Sequence, residues 1–89
     1  MKHAGDTALN ALADLLDEIR RYDGLKEPKR GVFYRKSSGF LHFHEDPAGF
    51  FADLKIAGEY RRFPVNSAAE RRSLLRRIAQ ITQNQGRRR

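Results

Sequence analysis

Two histidines, His42 and His44, stand two residues apart within Phe40-Leu41-His42-Phe43-His44. In an extended chain that spacing sends both imidazoles to one side. There the ring nitrogens can share a divalent ion or pass protons to a carboxylate. Asp53 is the candidate carboxylate, because folding the segment into a hairpin sets it directly opposite His42. Two imidazoles and a carboxylate are donor types of a zinc-class site. The spacing secures only two ligands, however: Glu45 alternates to the other face, and Asp46 enters a turn. A histidine facing a carboxylate across strands also stabilises a sheet without any ion. His3, near the start of the chain, adds nothing to this set. Ser37 and Ser38 lie in a turn with no histidine or acid fixed beside them, so turn chemistry explains them better than nucleophilic catalysis. The absence of cysteine excludes disulfides, thiolate zinc sites and a thiol nucleophile. No glycine-rich phosphate loop and no pair of catalytic carboxylates occurs. These residues predict no enzyme, no cofactor and no committed metal site.

The elements that hold these residues follow from periodicity. From about Thr7 to Tyr22, the residues Ala8, Leu9, Leu12, Leu15, Leu16, Ile19 and Tyr22 recur at three- and four-residue spacing, one apolar stripe on a helix. Asp6 is placed to cap its start and Gly24 to end it. After a turn-rich basic linker, Lys26-Glu27-Pro28-Lys29, come four strand-like runs: 32–35, 40–44, 51–56 and 60–63. Turn signals separate them at Ser37-Ser38-Gly39, Asp46-Pro47-Ala48-Gly49 and Ala57-Gly58. Pro64 cannot donate to a ladder, so the fourth run should end there or lie at an edge. A second helix is predicted from about Ser67 to Gln83, opened by a Ser67/Glu70 capping box and buried along Leu74, Leu75, Ile78 and Ile81. The fold class is therefore α+β, a two-layer sandwich. A four-stranded antiparallel meander carries both helices on one face, in the order α-β-β-β-β-α. Residues 1–5 are expected to be disordered, 6–83 to form a single domain, and 84–89 to be a basic flexible tail.

Tight hairpins then fix which side chains share a face. Tyr34 opposite Leu41, Val32 opposite Phe43, Leu41 opposite Leu54, Phe43 opposite Ala52 and Ala52 opposite Phe63 give one coherent apolar face. The other face carries Phe33, Arg35, Phe40, His42, His44, Phe51, Asp53, Lys55, Tyr60 and Arg62. Aromatic rings interleaved with cations make it the candidate binding face. Buried against a second copy, it would form an isologous dimer with aromatics in the centre and arginines at the rim. Left open, it would stack unpaired bases while Arg35, Lys55 and Arg62 contact phosphates. Nothing matches the octapeptide of RNA-recognition motifs, and the βαβ connections of that fold are missing.

Composition bounds these readings. The chain has 89 residues, one small domain with little room for a deep cleft. Lys and Arg number 18 against 11 Asp and Glu, a net charge of +7 that favours anionic partners. Part of the excess sits in Arg87-Arg88-Arg89, and Arg71, Arg72, Arg76 and Arg77 fall largely on the solvated face of the second helix. No apolar run approaches the roughly 20 residues of a membrane span, and no signal-peptide pattern opens the chain. The absence of cysteine fits a cytoplasmic protein.

The segment Gly31-Val32-Phe33-Tyr34-Arg35, followed by 40–47 (FLHFHEDP) and Phe51-Ala52-Asp53-Leu54, resembles short bacterial proteins usually labelled hypothetical. The likeness extends through Phe63-Pro64-Val65 and Ala69-Glu70-Arg71. It implies a bacterial, cytoplasmic origin and brings no activity, ligand or site residue. In element order alone the chain also resembles the frataxin-like layout. It lacks that group's acidic first helix and acidic ridge, so iron binding does not carry over. The resulting expectation is a small non-enzymatic binding or assembly module. Its partner is a second copy, another protein or single-stranded nucleic acid, and a histidine-based metal site is a lesser alternative.

Overall fold

The apolar stripe of the first segment winds into helix in two pieces rather than one. These are α1 (Asp6–Ala11) and α2 (Ala13–Ile19), which meet at Leu12, where φ −99° and ψ 10° break the helical repeat. The stripe runs through both, and Ala8, Leu9, Leu12, Leu15, Leu16 and Ile19 are all buried. Gly5 takes the N-cap position expected of Asp6, which is instead the first helical residue. Its charge there still complements the helix dipole. The structure, a computed structural model, describes residues 1–86, with side chains described through Gln83.

An antiparallel sheet follows, as the alternating runs require, but with more than four strands. They are β1 (Lys2–His3), β2 (Leu25–Lys29), β3 (Val32–Arg35), β4 (Ser38–Asp46), β5 (Gly49–Ile56) and β6 (Glu59–Pro64). The sheet order is β2-β3-β4-β5-β6, with β1 paired to β4. Two strands are additions to the sequence reading. The basic linker is β2, an edge strand, which is where its Pro28 is tolerated. Residues expected to be disordered form β1, whose register is Lys2 opposite Glu45 and His3 opposite His44. Ala4 N–H continues the pairing to Phe43 O at 3.0 Å, and Gly5 N–H donates to Glu45 Oε2 at 2.8 Å. β4 spans nine residues and pairs with β3 only along its first half. Its second half is therefore free on that edge to receive β1.

The β4–β5 and β5–β6 registers are those read from the sequence, including Leu41 opposite Leu54, His42 opposite Asp53 and Ala52 opposite Phe63. The first hairpin differs. Its turn falls at Lys36-Ser37, both with positive φ of 55° and 67°, so Arg35 faces Ser38 and Tyr34 faces Gly39. The ladder then skips to Phe33 opposite Leu41, leaving Phe40 as an extra residue on β4. Such a bulge lets two successive side chains reach one face. Phe40 and Leu41 both enter the core, at 3% and 0% exposure, and Phe33 joins them at 1%. Burying two phenylalanines instead of exposing them is worth about 1.5–3 kcal/mol each, which decides the frame. Tyr34, expected in the core, consequently stands exposed.

The final helix, α3 (Ala68–Gly86), takes in residues 84–86 of the expected tail, while Arg87–Arg89 lie outside the described residues. The predicted capping box closes it: Ser67 N–H donates to Glu70 Oε1 at 3.0 Å, and Glu70 N–H to Ser67 Oγ at 3.1 Å. Leu74 and Ile78 of α3, Leu9, Leu12, Leu15, Leu16 and Ile19 of the first segment, and Phe33, Phe40, Leu41, Phe43, Ala52, Leu54 and Val65 form one hydrophobic cluster. The residues that alternate with these along β4, β5 and β6 lie on the opposite face of the sheet. Among the described residues no helix is long and apolar enough to cross a membrane.

Candidate functional site

Strand alternation delivers His42, His44, Phe51, Asp53, Lys55, Tyr60 and Arg62 to the face turned away from the helices, as their spacing predicted. Phe33, Arg35 and Phe40 do not belong to it. The bulge carries the two phenylalanines into the core. Arg35, opposite Ser38, turns to the helix side, where its guanidinium lies 5.8 Å from the Phe40 ring and donates to Ile81 O of α3 at 3.4 Å.

Two residues join the face that sequence reasoning left out. His3 arrives through β1, beside His44. A two-residue strand is too short for any periodicity to announce it. Tyr34 arrives because the bulge reverses the alternation of β3 against distal β4. The adjacent pair Phe40-Leu41, breaking an otherwise alternating strand, was the available signal.

Rings then run continuously across the sheet. His3 and His44 have centroids 4.7 Å apart, His42 and His44 5.0 Å, and His42 and Tyr60 5.0 Å. The Tyr60 hydroxyl reaches over Gly39, where an added Cβ would meet it at 2.5 Å. Gly39 is the partner of Tyr34, so the second tyrosine continues the row. Tyr34 and Tyr60 remain 41% and 44% exposed. Lys55 Nζ sits 5.2 Å from the Tyr60 ring centre. Lys26 pairs with Tyr34 on β2, and a shallow basin lined by Lys26, Tyr34 and Lys36 borders the end of the row.

Asp53 anchors the middle. Arg62 grips it with two hydrogen bonds, Nε to Oδ1 at 2.7 Å and Nη2 to Oδ2 at 2.8 Å. Those bonds hold its carboxyl below the usual carboxylate range against the opposing cost of burial. Oδ2 also lies 3.1 Å from His44 Nε2 and 3.6 Å from His42 Nε2. Neither ring nitrogen of His44 has a hydrogen-bond partner, although both are buried; the short approach to Asp53 lacks hydrogen-bond alignment. Burial, reinforced by repulsion from His44, holds His42 below the ordinary imidazole value, with Asp53 partly opposing. Burial, with the neighbouring Tyr34 and Asp53, pushes the Tyr60 hydroxyl upward.

The arrangement offers two kinds of chemistry: flat, exposed π-surfaces flanked by cations, and clustered imidazole nitrogens beside a carboxylate. Compared with protein-family models, curated proteins and solved structures, the chain matches none.

Proposed function

We propose that this protein is a non-enzymatic binding module for single-stranded nucleic acid, which it engages through the ring row on the open face of its sheet. The observation that carries the reading is the pair of exposed tyrosines on this face: Tyr60, whose hydroxyl lies over Gly39 with Lys55 beside its ring, and Tyr34, which pairs with Gly39 across the strands. Unpaired bases stack on such rings irrespective of sequence, and Lys26, Lys55 and Lys36 supply charge for the phosphates. The net charge of +7 raises the encounter rate with any polyanion.

A second copy is the weaker occupant. With Phe33 and Phe40 in the core, the face has lost the apolar centre that an isologous interface needs. Pressing two such faces together would also bring Lys26, Lys55 and their copies close to one another, at a cost in like-charge repulsion.

The test is fluorescence anisotropy with a labelled twelve-nucleotide single-stranded RNA of mixed sequence. Affinity should fall with salt by about 0.7 log units per log unit of salt for each phosphate contact. Tyr34→Ala and Tyr60→Ala should each weaken binding about 5- to 150-fold, the worth of one stacked base. Binding that ignores both substitutions yet disappears on removing Arg87–Arg89 would overturn the reading. So would a stable dimer, seen by light scattering, that dissociates when Tyr60 is replaced.

A further inference from the structure

The imidazole end of the row carries a feature that base stacking does not use. Nitrogens of His3, His42 and His44 all lie within 4.8 Å of one another. Three imidazoles are thus gathered from two strands on one sheet face, and the most buried of them is left without a hydrogen bond. A buried polar group with no partner costs about 1–3 kcal/mol. His44 has two such atoms, and the fold bears that cost at the point where the other two rings converge.

We propose that His3, His42 and His44 bind a transition-metal ion of the zinc class. Neutral imidazole nitrogens are preferred donors for Zn²⁺, Co²⁺ and Ni²⁺, and three of them leave a coordination position open for water or a further ligand. Around a tetrahedral ion with nitrogens at 2.0–2.1 Å, the donors stand about 3.4 Å apart. Side-chain rotation of about 1 Å closes the present spacing, and the ion gives His44 the partner it lacks. Asp53, fixed by Arg62 with Oδ2 3.1 Å from His44 Nε2, stands where it can orient a ligating ring once rotation brings the two into hydrogen-bond alignment. Glu45 is not part of the set, because its carboxylate is taken by Gly5 N–H at the start of α1.

One ligand comes from β1, so the ion would also fasten this two-residue strand to β4. The affinity should depend on His3 although that residue is exposed and outside the core. This sets the proposal apart from a zinc ion shared by His42 and His44 alone.

The experiment uses the full chain treated with EDTA and free of nucleic acid, so its result bears on the ion and not on the stacking reading. Zn²⁺ is titrated while Tm is followed, and Co²⁺ serves as an optical probe of coordination. At a hundredfold excess over Kd, Zn²⁺ should raise Tm by roughly 10–20 °C. Co²⁺ should give the visible bands of a tetrahedral nitrogen site. His3→Ala should weaken binding at least about tenfold with the apo Tm little changed, and His42→Ala should abolish the optical bands. If His44→Gln fails to fold, His3→Ala and His42→Ala still decide the matter. Wild-type affinity in His3→Ala would overturn the three-ligand site. No Tm shift in folded wild type at millimolar Zn²⁺ would overturn the metal site altogether.

Discussion

Replacing Phe33 and Tyr34 in turn reads the frame of β3 directly, because simple alternation and the observed bulge assign them opposite faces. Phe33 is 1% exposed and Tyr34 is 41% exposed. Phe33→Ala deletes a ring that Leu41 faces across the ladder, and emptying such a position costs about 3–5 kcal/mol. A domain of 89 residues has a total stability of about 4–13 kcal/mol. The substitution therefore removes between about a quarter and all of it, and should lower Tm by about 12–40 °C. Tyr34→Ala takes away a half-solvated ring and should cost about 1 kcal/mol or less. Thermal and urea denaturation of the two variants, with unchanged m-values, is the assay. If Tyr34→Ala proves the more damaging, β3 sits in the unbulged frame. Phe33 would then return to the open face, and the geometry of the ring row would be refuted.

Other expectations follow from particular contacts. Glu27 receives a two-point grip from Arg20, at 2.6 and 2.9 Å, and accepts Gly31 N–H at 2.9 Å. Arg20 thereby holds its carboxyl below the ordinary value of 4.5. A depressed carboxylate contributes stability that is complete above its unfolded pKa and is lost as pH falls through the folded one. Wild type should therefore lose about 1 kcal/mol more than Glu27→Gln when denaturation is compared at pH 7 and pH 3. Gly39→Ala should cost little stability, because the clashing atom is the mobile hydroxyl end of Tyr60. It should nevertheless weaken RNA binding severalfold by tilting that ring, and an unchanged Kd would show that the Tyr60–Gly39 contact plays no part. Ser67→Ala opens the capping box of α3 and should cost about 1 kcal/mol by urea denaturation; no change would mean that Glu70 alone holds the helix start.

What could be read from the sequence followed the strength of the local rules. Both amphipathic stripes, the Ser67/Glu70 cap and the registers of the last two hairpins follow from periodicity and turn chemistry, which act within a few residues. The first hairpin escaped, because its turn uses Lys36 and Ser37 at positive φ without a glycine in either place, and because a bulge is chosen by burial rather than by propensity. β2 hid behind Pro28, which argues against a strand unless the edge position is known beforehand. Most of the candidate face was legible for the same reason that β4 and β5 were: His42, His44 and Asp53 obey plain alternation. His3 was not, since its place beside His44 is a contact across some forty residues, with only two residues of strand to declare it.

An amide NMR titration of the labelled protein with short single-stranded RNA near physiological salt tests the account at its centre, with oligomeric state recorded on the same sample. A monomer is expected, with shifts concentrated at Tyr34, Gly39, His42, Lys55 and Tyr60, while Phe33 and Phe40 stay nearly still. Shifts confined to the arginine-rich end of the chain, or a ring row that does not respond to saturating RNA, would contradict it.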